Sequence, residues 1–245
     1  MKLVIDIGNS LAKLAVFNGN EIIDFQTINK VDVGVLNITL LNYPQITSSI
    51  LSSVAQHDIH INELLTQHGF FIELSQSTPV PFINKYSTPD TLGKDRIAIA
   101  SAAVQKYPNE NVLIIDTGTS ITYDFVNNRR EYLGGGISPG LNMRFKALHN
   151  FTHRLPLIHM PDPEEKINLV GDSTESSILT GVVNGLKAEV ESTINQYNYL
   201  YSPLKVVISG GDYKYFEKLV KSNIFASPNI VIWGLKNILD FNESN

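Results

Sequence analysis

The apolar pattern near the start of this chain is repeated near its middle. The run Leu3–Ile5 leads into Asp6 and a turn of glycine and small polar residues, and Leu113–Ile115 leads into Asp116 in the same way. The two aspartates lie 110 positions apart (116 − 6), and at this offset a glycine and a serine of each turn also coincide without a gap. The pattern indicates a duplicated unit that opens with a β-hairpin, although chance similarity between two buried strands remains an alternative.

Strands and helices are predicted to alternate along the rest of the chain. Asn18-Gly19 is a strong type I′ hairpin signal, and apolar residues three or four positions apart favour helices. The predicted strands are residues 2–7, 11–17, 21–27, 70–74, 112–116, 121–126, 132–136, 206–208 and 230–233. The predicted helices are residues 61–68, 91–105 and 175–197, with a last helical turn at 235–239. This alternation predicts an α/β chain of two similar domains, residues 1–108 and 109–245, with a cleft between them.

The composition limits the kind of protein this is. With 245 residues, 43% of them hydrophobic, the chain can bury a sizeable core. A net charge of −5 argues against nucleic acid as the main partner, because phosphate backbones recruit clustered Lys and Arg. The absence of cysteine excludes disulfides and thiolate metal sites. No uncharged apolar run is long enough to cross a bilayer, so we predict a soluble cytoplasmic protein with no membrane partner.

The first turn has the residue types of a phosphate-binding loop. Gly8, Asn9 and Ser10 present backbone N–H groups and a hydroxyl toward one point, which suits an anion. Asp6 can hold a cation that bridges to a phosphate, and Lys13 adds a positive charge on the next strand. A purely structural hairpin is the alternative for one such turn. Two turns facing each other across a cleft would bind a polyphosphate from both sides, which favours ATP.

A second group of candidate catalytic and binding residues lies at the start of a predicted helix. In Leu92–Arg96, Gly93 lets a ligand approach the backbone, and Asp95 can take the proton from a hydroxyl nucleophile. Arg96 can bind a carboxylate or a phosphoryl oxygen bidentately. The alternative is that the acid and the base serve only as a helix cap and a surface ion pair.

Together these motifs resemble the type III pantothenate kinases, a family of the acetate and sugar kinase, Hsp70 and actin superfamily. The resemblance covers nearly the full chain, in the family's order. It rests on the segments VIDIGNSLAKLAVF, LGKDR, IIDTGTSITYDFV, YLGGGISPGLNMRFKAL, GDSTESSILTGVVNG and VVISGGD. It implies two ribonuclease H-like (actin-like ATPase) domains with mixed sheets flanked by helices. It also implies phosphorylation of pantothenate by ATP in coenzyme A biosynthesis.

The resemblance implies roles for individual residues. Asp95 would be the general base. The residues implied to contact the phosphates of ATP are Asp6, Ile7, Gly8, Asn9, Ser10, Leu11, Ala12, Lys13 and, in the second turn, Thr119. Those implied to line the pantothenate site are Tyr86, Gly93, Lys94, Asp95, Arg96 and Thr174, with no particular role for Lys94.

The resemblance also implies cofactors and a partner. Asp6 would hold the Mg²⁺ that accompanies ATP, and Asp116 would hold a monovalent cation, K⁺ or NH₄⁺. The family forms homodimers, with Thr174 reaching pantothenate from the partner's side. Two other functions remain open: a kinase of another small hydroxy acid, and a non-catalytic regulator that binds nucleotide.

Overall fold

The computed structural model describes residues 1–9, 11–220 and 224–244. In the first half of the chain the elements are β1 (Lys2–Ile7), β2 (Ala12–Asn18), β3 (Glu21–Ile28), α1 (Val33–Asn42), β4 (Ser48–Ser53), α2 (Ile59–His68), β5 (Phe70–Glu73), β6 (Ile83–Asn84) and α3 (Lys94–Lys106). In the second half they are β7 (Asn111–Thr117), β8 (Ser120–Val126), β9 (Glu131–Pro139), α4 (Leu141–Asn150), α5 (Thr174–Leu179), α6 (Gly185–Leu200), β10 (Leu204–Gly210), α7 (Tyr213–Leu219), β11 (Phe225–Ala226) and α8 (Ile230–Glu243). A 3₁₀ turn, Pro89–Thr91, precedes α3, and a π-helical turn, Thr180–Asn184, joins α5 to α6.

The chain forms two compact units with the same strand order. One unit is Met1–Pro108 with Ile230–Asn245, and the other is Asn109–Asn229. The first sheet has the order β3-β2-β1-β4-β5, and in the second unit the order is β9-β8-β7-β10-β11. In both units the first strand of the hairpin runs antiparallel to the second and parallel to the strand on its other side. The predicted fold class, an α/β chain with mixed sheets flanked by helices, is confirmed.

The two hairpins differ by one residue in their turns. Ile7 pairs with Ala12, so four residues, 8–11, separate the paired positions of the first hairpin, whereas Thr117 pairs with Ile121 and three residues, 118–120, separate those of the second. The four hairpin strands lie within one residue of their predicted bounds. The shorter second turn means that residues after the turn no longer correspond at the offset that relates the two aspartates.

The first hairpin strand is apolar because both faces of the sheet are covered. Leu3 and Ile5 pack with Leu36 of α1 and Leu65 of α2 on one face. Helix α8 contacts β1 and β4, and α3 contacts β4, on the other face. Strands buried on both sides are expected to read as continuous apolar runs. The second unit has its own core, in which Leu113, Phe125, Leu186 and other apolar side chains pack together.

The predicted strand at residues 230–233 is wrong, because these residues form the first turn of α8. A short apolar run has the same pattern in a buried strand and in a buried helix, so it does not decide between them. Helix α8 packs along α3, and Trp233 meets Phe17 edge-on with ring centroids 5.1 Å apart. The end of the predicted 109–245 domain therefore lies in the first compact unit. In the described residues, no helix combines the length and the apolar character needed to cross a membrane.

Gly234 should be essential to the packing of α8 on α3. A Cβ at this position would lie 1.8 Å from the carbonyl oxygen of Ala98. We expect Gly234→Ala to lower the free energy of unfolding by at least about 1–3 kcal/mol, because the helices would have to separate. The matched control is Gly185→Ala in α6, where a Cβ meets nothing within 4 Å. This control should be neutral or stabilising by about 0.5–1 kcal/mol. Denaturant unfolding of both variants measures the difference, and equal effects would contradict the packing argument.

Candidate functional site

Asp6 lies at the carboxyl end of β1, between two polar side chains of the neighbouring strands. It is in register with Lys13 of β2 and with Ser52 of β4. Residues in register lie on the same face of a sheet, so the Asp6 carboxylate has an ammonium group on one side and a hydroxyl on the other. Asp95, on the first turn of α3, is close enough for its charge to act on Asp6. The structure thus brings three of the sequence-predicted residues together in one unit.

Burial makes the Asp6 carboxylate less acidic than usual. Loss of hydration raises its pKa from 3.8 to about 6, and the nearby charge of Asp95 adds to this. The ammonium group of Lys13 and the hydroxyl of Ser52 lower the pKa, but their effect is smaller than that of desolvation. A bound cation or positively charged ligand would therefore stabilise the ionised form of Asp6.

The oxygen atoms around Asp6 fit Mg²⁺. Carboxylates and hydroxyls are hard donors, and Mg²⁺ in nucleotide sites is usually held by one or two carboxylates together with phosphate oxygens and water. Among the described residues no group of three or more His, Cys, Asp or Glu side chains is placed to hold a metal ion. A magnesium ion at Asp6 therefore needs phosphate oxygens and water to complete its coordination.

The turn after β1 is tight and lies beside a cavity. The N–H of Gly8 donates to the carbonyl oxygen of Leu11 at 3.1 Å, and a Cβ on Gly8 would lie 3.0 Å from the same oxygen. Gly8, Asn9 and Leu11 line a cavity of about 380 Å³, to which Lys30 and His57 also contribute. The predicted phosphate contact Ser10 lies outside the described residues. The cavity borders the described part of the turn, but neither Asp6 nor Lys13 lines it.

Asp95 is held by the backbone at the start of α3. Gly93 is the N-cap of this helix, and the N–H of Arg96 donates to Asp95 Oδ1 at 2.9 Å. A Cβ on Gly93 would lie 2.4 Å from the same oxygen, so a larger residue there would force the carboxylate to move. No described residue makes a hydrogen bond to Asp95 Oδ2. One carboxylate oxygen is therefore fixed, and the other can accept a proton.

Arg96 and Tyr86 are brought together as the sequence predicts. The guanidinium carbon of Arg96 lies 5.5 Å from the centroid of the Tyr86 ring, in a cation–π contact. Arg96 is buried, with 5% of its surface exposed. Lys94, by contrast, has its ammonium group 3.9 Å from Glu73 Oε1. The stacked Arg96 is therefore the better-positioned cation of this segment for binding an anionic ligand.

In the second unit, Asp116 occupies the position equivalent to Asp6. It is in register with Thr122 of β8 and Ser209 of β10. Thr119 is exposed in the following turn, and its carbonyl oxygen accepts the N–H of Gly140 at 3.0 Å. A Cβ on Gly140 would lie 2.0 Å from the carbonyl oxygen of Gly118, so the turn depends on that glycine.

A buried polar network behind this edge was missed from the sequence. Asp124 is fully buried and accepts hydrogen bonds from Thr122 Oγ1 and from the hydroxyl of Tyr132, both at 2.7 Å. The signal in the sequence was Asp124 itself, a charged residue within an otherwise mostly apolar strand, which indicates buried hydrogen-bond partners. The network ties β8 to β9 and fixes Thr122, which lies opposite Asp116.

Thr174 lines a different cavity of the second unit. It is the first residue of α5, after the N-cap Ser173, whose side chain accepts the N–H of Ser176. The cavity has a volume of about 1080 Å³ and is lined by neither Asp116 nor Thr119. Arg144 also lines it, with Nη2 2.6 Å from Glu189 Oε2. The Arg144–Glu189 contacts lower the pKa of Glu189, against the effect of its partial burial.

Comparison with known proteins gives a family match over most of the chain. A family model described as type III pantothenate kinase matches residues 2–196. A protein of Christiangramia forsetii named type III pantothenate kinase is 46% identical over 246 residues, which is 100% of both chains.

Solved structures agree on the fold. A Campylobacter jejuni protein named as a Baf family transcriptional activator has a TM-score of 0.64 at 22% identity, covering 99% of this chain and 100% of that one. A ROK family protein of Streptococcus pneumoniae has a TM-score of 0.54 at 13% identity, covering 100% and 99%. At such identities these likenesses show the fold alone, and they confirm the predicted actin-like ATPase fold class.

Removing the charge of Asp6 should stabilise the ligand-free protein near neutral pH. Its pKa is raised from 3.8 to about 6, so between these pH values the folded chain binds more protons than the unfolded chain. The free energy of unfolding therefore falls as pH rises through this window, by at most about 3 kcal/mol. In Asp6→Asn this fall should disappear. Denaturant unfolding at pH 4 to 8 measures it, with the exposed Asp90→Asn as control. If the wild type gained stability relative to Asp6→Asn as pH rises from 4 to 6, the raised pKa of Asp6 would be contradicted.

Proposed function

Since this chain belongs to the type III pantothenate kinase family, we propose that it transfers the γ-phosphoryl group of ATP to the primary hydroxyl of pantothenate. The product is 4′-phosphopantothenate, and the reaction is the first step of coenzyme A biosynthesis. The observation that carries the proposal is the grouping of Asp6, Lys13 and Asp95 in one unit. This grouping supplies a phosphate-binding edge with a second carboxylate beside it.

Asp95 is the general base of the proposed reaction. Its Oδ1 is held by the N–H of Arg96, which leaves Oδ2 to accept the proton of the pantothenate hydroxyl as that oxygen bonds to phosphorus. Phosphoryl transfer passes through a loose transition state, so the orientation of Asp95 matters more than its base strength.

The first turn and Lys13 bind the phosphates in this proposal. The implied contacts run from Asp6 to Lys13, and the ammonium group of Lys13 lies beside Asp6 at the same sheet edge. Mg²⁺, when bound with ATP, would neutralise charge on the phosphate oxygens, and Asp6 would hold it. Lys13 would attract the negatively charged phosphates to the end of β1. The cation bound there would stabilise the ionised carboxylate of Asp6.

The pantothenate site is proposed around the start of α3. Arg96 would bind the pantothenate carboxylate bidentately, and its contact with Tyr86 keeps the guanidinium plane in one orientation. Gly93 would contribute backbone contacts, Lys94 lies in the same segment without a particular role, and Thr174 would complete the site from the partner's side.

The second unit is proposed to bind the nucleotide and a monovalent cation. Asp116 would hold K⁺ or NH₄⁺, and the exposed Thr119 would contact ATP. No cationic side chain is in register with Asp116, since its neighbours are Thr122 and Ser209. The carboxylate of Asp116 and the hydroxyl groups beside it are hard oxygen donors, which supports the proposal that this edge binds a cation.

The protein is proposed to be a cytoplasmic homodimer. Several large apolar side chains of the second unit are mostly exposed in the isolated chain. They are Ile137 (67%), Phe151 (88%), Leu169 (81%) and Val170 (79%). Contact with a second copy would remove such surface from water, which supports the dimer.

Asp95→Asn should remove most of the turnover and leave binding intact. The amide keeps the shape of the carboxylate but cannot accept the proton, so we expect kcat to fall about 10²–10⁴-fold. The KM for ATP and the melting temperature should change little. Asp90→Asn, an exposed residue of the preceding 3₁₀ turn, is the control. ADP formation with pantothenate measures turnover, and an Asp95→Asn variant with full turnover would refute the role.

The same assay separates the remaining functions. Wild-type protein should consume ATP with pantothenate and not with a panel of other small hydroxy acids. Preference for another acceptor would favour a different kinase. Nucleotide binding without ATP consumption for any acceptor would favour a non-catalytic regulator.

Asp116→Ala should abolish the response to potassium. Removal of the proposed cation ligand should lower activity and make it insensitive to K⁺ concentration, because the cation would no longer be held near the nucleotide. Activity is measured over a K⁺ series at constant ionic strength, with a large organic cation as replacement. The control is Asp162→Ala, an exposed position of the same unit. If Asp116→Ala kept both wild-type activity and K⁺ dependence, the cation site would lie elsewhere.

A further inference from the structure

Strand β4 contains two serine hydroxyls that are buried without a described partner. Ser48 and Ser52 are 2% and 0% exposed, and the Oγ of each makes no hydrogen bond to any described residue. Buried polar groups are nearly always hydrogen-bonded, because an unpaired one loses its hydration without compensation. Each of these hydroxyls therefore lowers the free energy of unfolding of the ligand-free protein.

The two serines lie on the same face of the sheet but at opposite ends of the strand. Ser52 is in register with Asp6, and Ser48 is in register with Lys2. Four residues of strand separate them by roughly 13 Å. Lys2 is engaged in ion pairs with Asp240 and Glu243, away from the proposed phosphate site. The pair is thus matched in residue type, strand and burial, but only Ser52 lies next to the site.

The hydroxyl of Ser52 is close to the Asp6 carboxylate without forming a well-aligned hydrogen bond. Its electrostatic effect on Asp6 is that of a nearby donor, although Oγ does not meet the geometry of a hydrogen bond. On the opposite side of Asp6, Lys13 is a compact point charge on a flexible stem, which attracts the carboxylate without fixing its rotation. Ser52 therefore has a hydroxyl proton available to donate to Asp6.

We propose that Ser52 is a positioning residue: on nucleotide binding its Oγ–H donates to one oxygen of Asp6 and turns the other toward Mg²⁺ and the phosphates. This inference rests on the proposed function, since it assigns Ser52 to the phosphate site of that reaction. Groups that orient a metal ligand through a hydrogen bond typically contribute 10–100-fold to metal affinity. A serine retained only to fill space would be replaced by alanine without such a loss.

The test compares Ser52→Ala with Ser48→Ala. Both variants remove a buried hydroxyl without a described partner, so both should keep or raise the melting temperature of the ligand-free protein. Only Ser52→Ala should weaken Mg²⁺ binding, by about 10–100-fold, in calorimetric titrations with a non-hydrolysable ATP analogue present. Its KM for Mg²⁺–ATP should rise more than its kcat falls, and Ser48→Ala should match the wild type in both.

A double variant decides whether Ser52 acts through Asp6. If it does, Ser52→Ala added to Asp6→Asn should cause no further loss of Mg²⁺–ATP affinity beyond that of Asp6→Asn alone. Wild-type affinity in Ser52→Ala, an equal loss in Ser48→Ala, or additive losses in the double variant would each overturn the proposal. If the wild type phosphorylates no pantothenate, the proposed function fails, and the affinity comparison still decides the role of Ser52.

Discussion

The carboxylate of Asp6 lies where β1 meets β2 and β4, and the arrangement of the first unit depends on how this charge is accommodated. β1 is covered on both faces, so its carboxyl end delivers Asp6 into surroundings that disfavour its ionised form. Lys13 opposes this effect only in part. A cation that accompanies a polyphosphate would stabilise the ionised carboxylate at this edge.

The second unit repeats the strand order but has no lysine on the strand that follows its aspartate. With the shorter turn, the register partner of Asp116 is Thr122, where that of Asp6 is Lys13. Ser209 is in register with Asp116 on the neighbouring parallel strand, as Ser52 is with Asp6 in the first unit. Two aspartates in equivalent positions therefore have different neighbours, one facing a cation and one facing hydroxyls. A duplicated hairpin can in this way serve two chemically different binding tasks.

Much of this arrangement could be predicted from the sequence, and the limits have physical causes. The hairpins were predictable because strands buried on both faces give uninterrupted apolar runs that end in glycine turns. The family followed from motifs in a fixed order, and Gly93 next to an acid and a base predicted a backbone that a ligand can approach. Helix α8 was mistaken for a strand because its first four residues are apolar in either structure. The partners of Asp6 and Asp116 were not predictable, since strand register depends on tertiary pairing.

The two units accommodate their buried polar groups in different ways. Asp124, fully buried, receives hydrogen bonds from Thr122 and Tyr132, so it costs little and holds two strands in register. At the end of β1, a carboxylate of raised pKa lies beside a hydroxyl with no aligned described partner. Such groups reduce stability until something binds them. A site that is incompletely satisfied when empty gains most from its ligand, because binding then supplies interactions that folding alone does not.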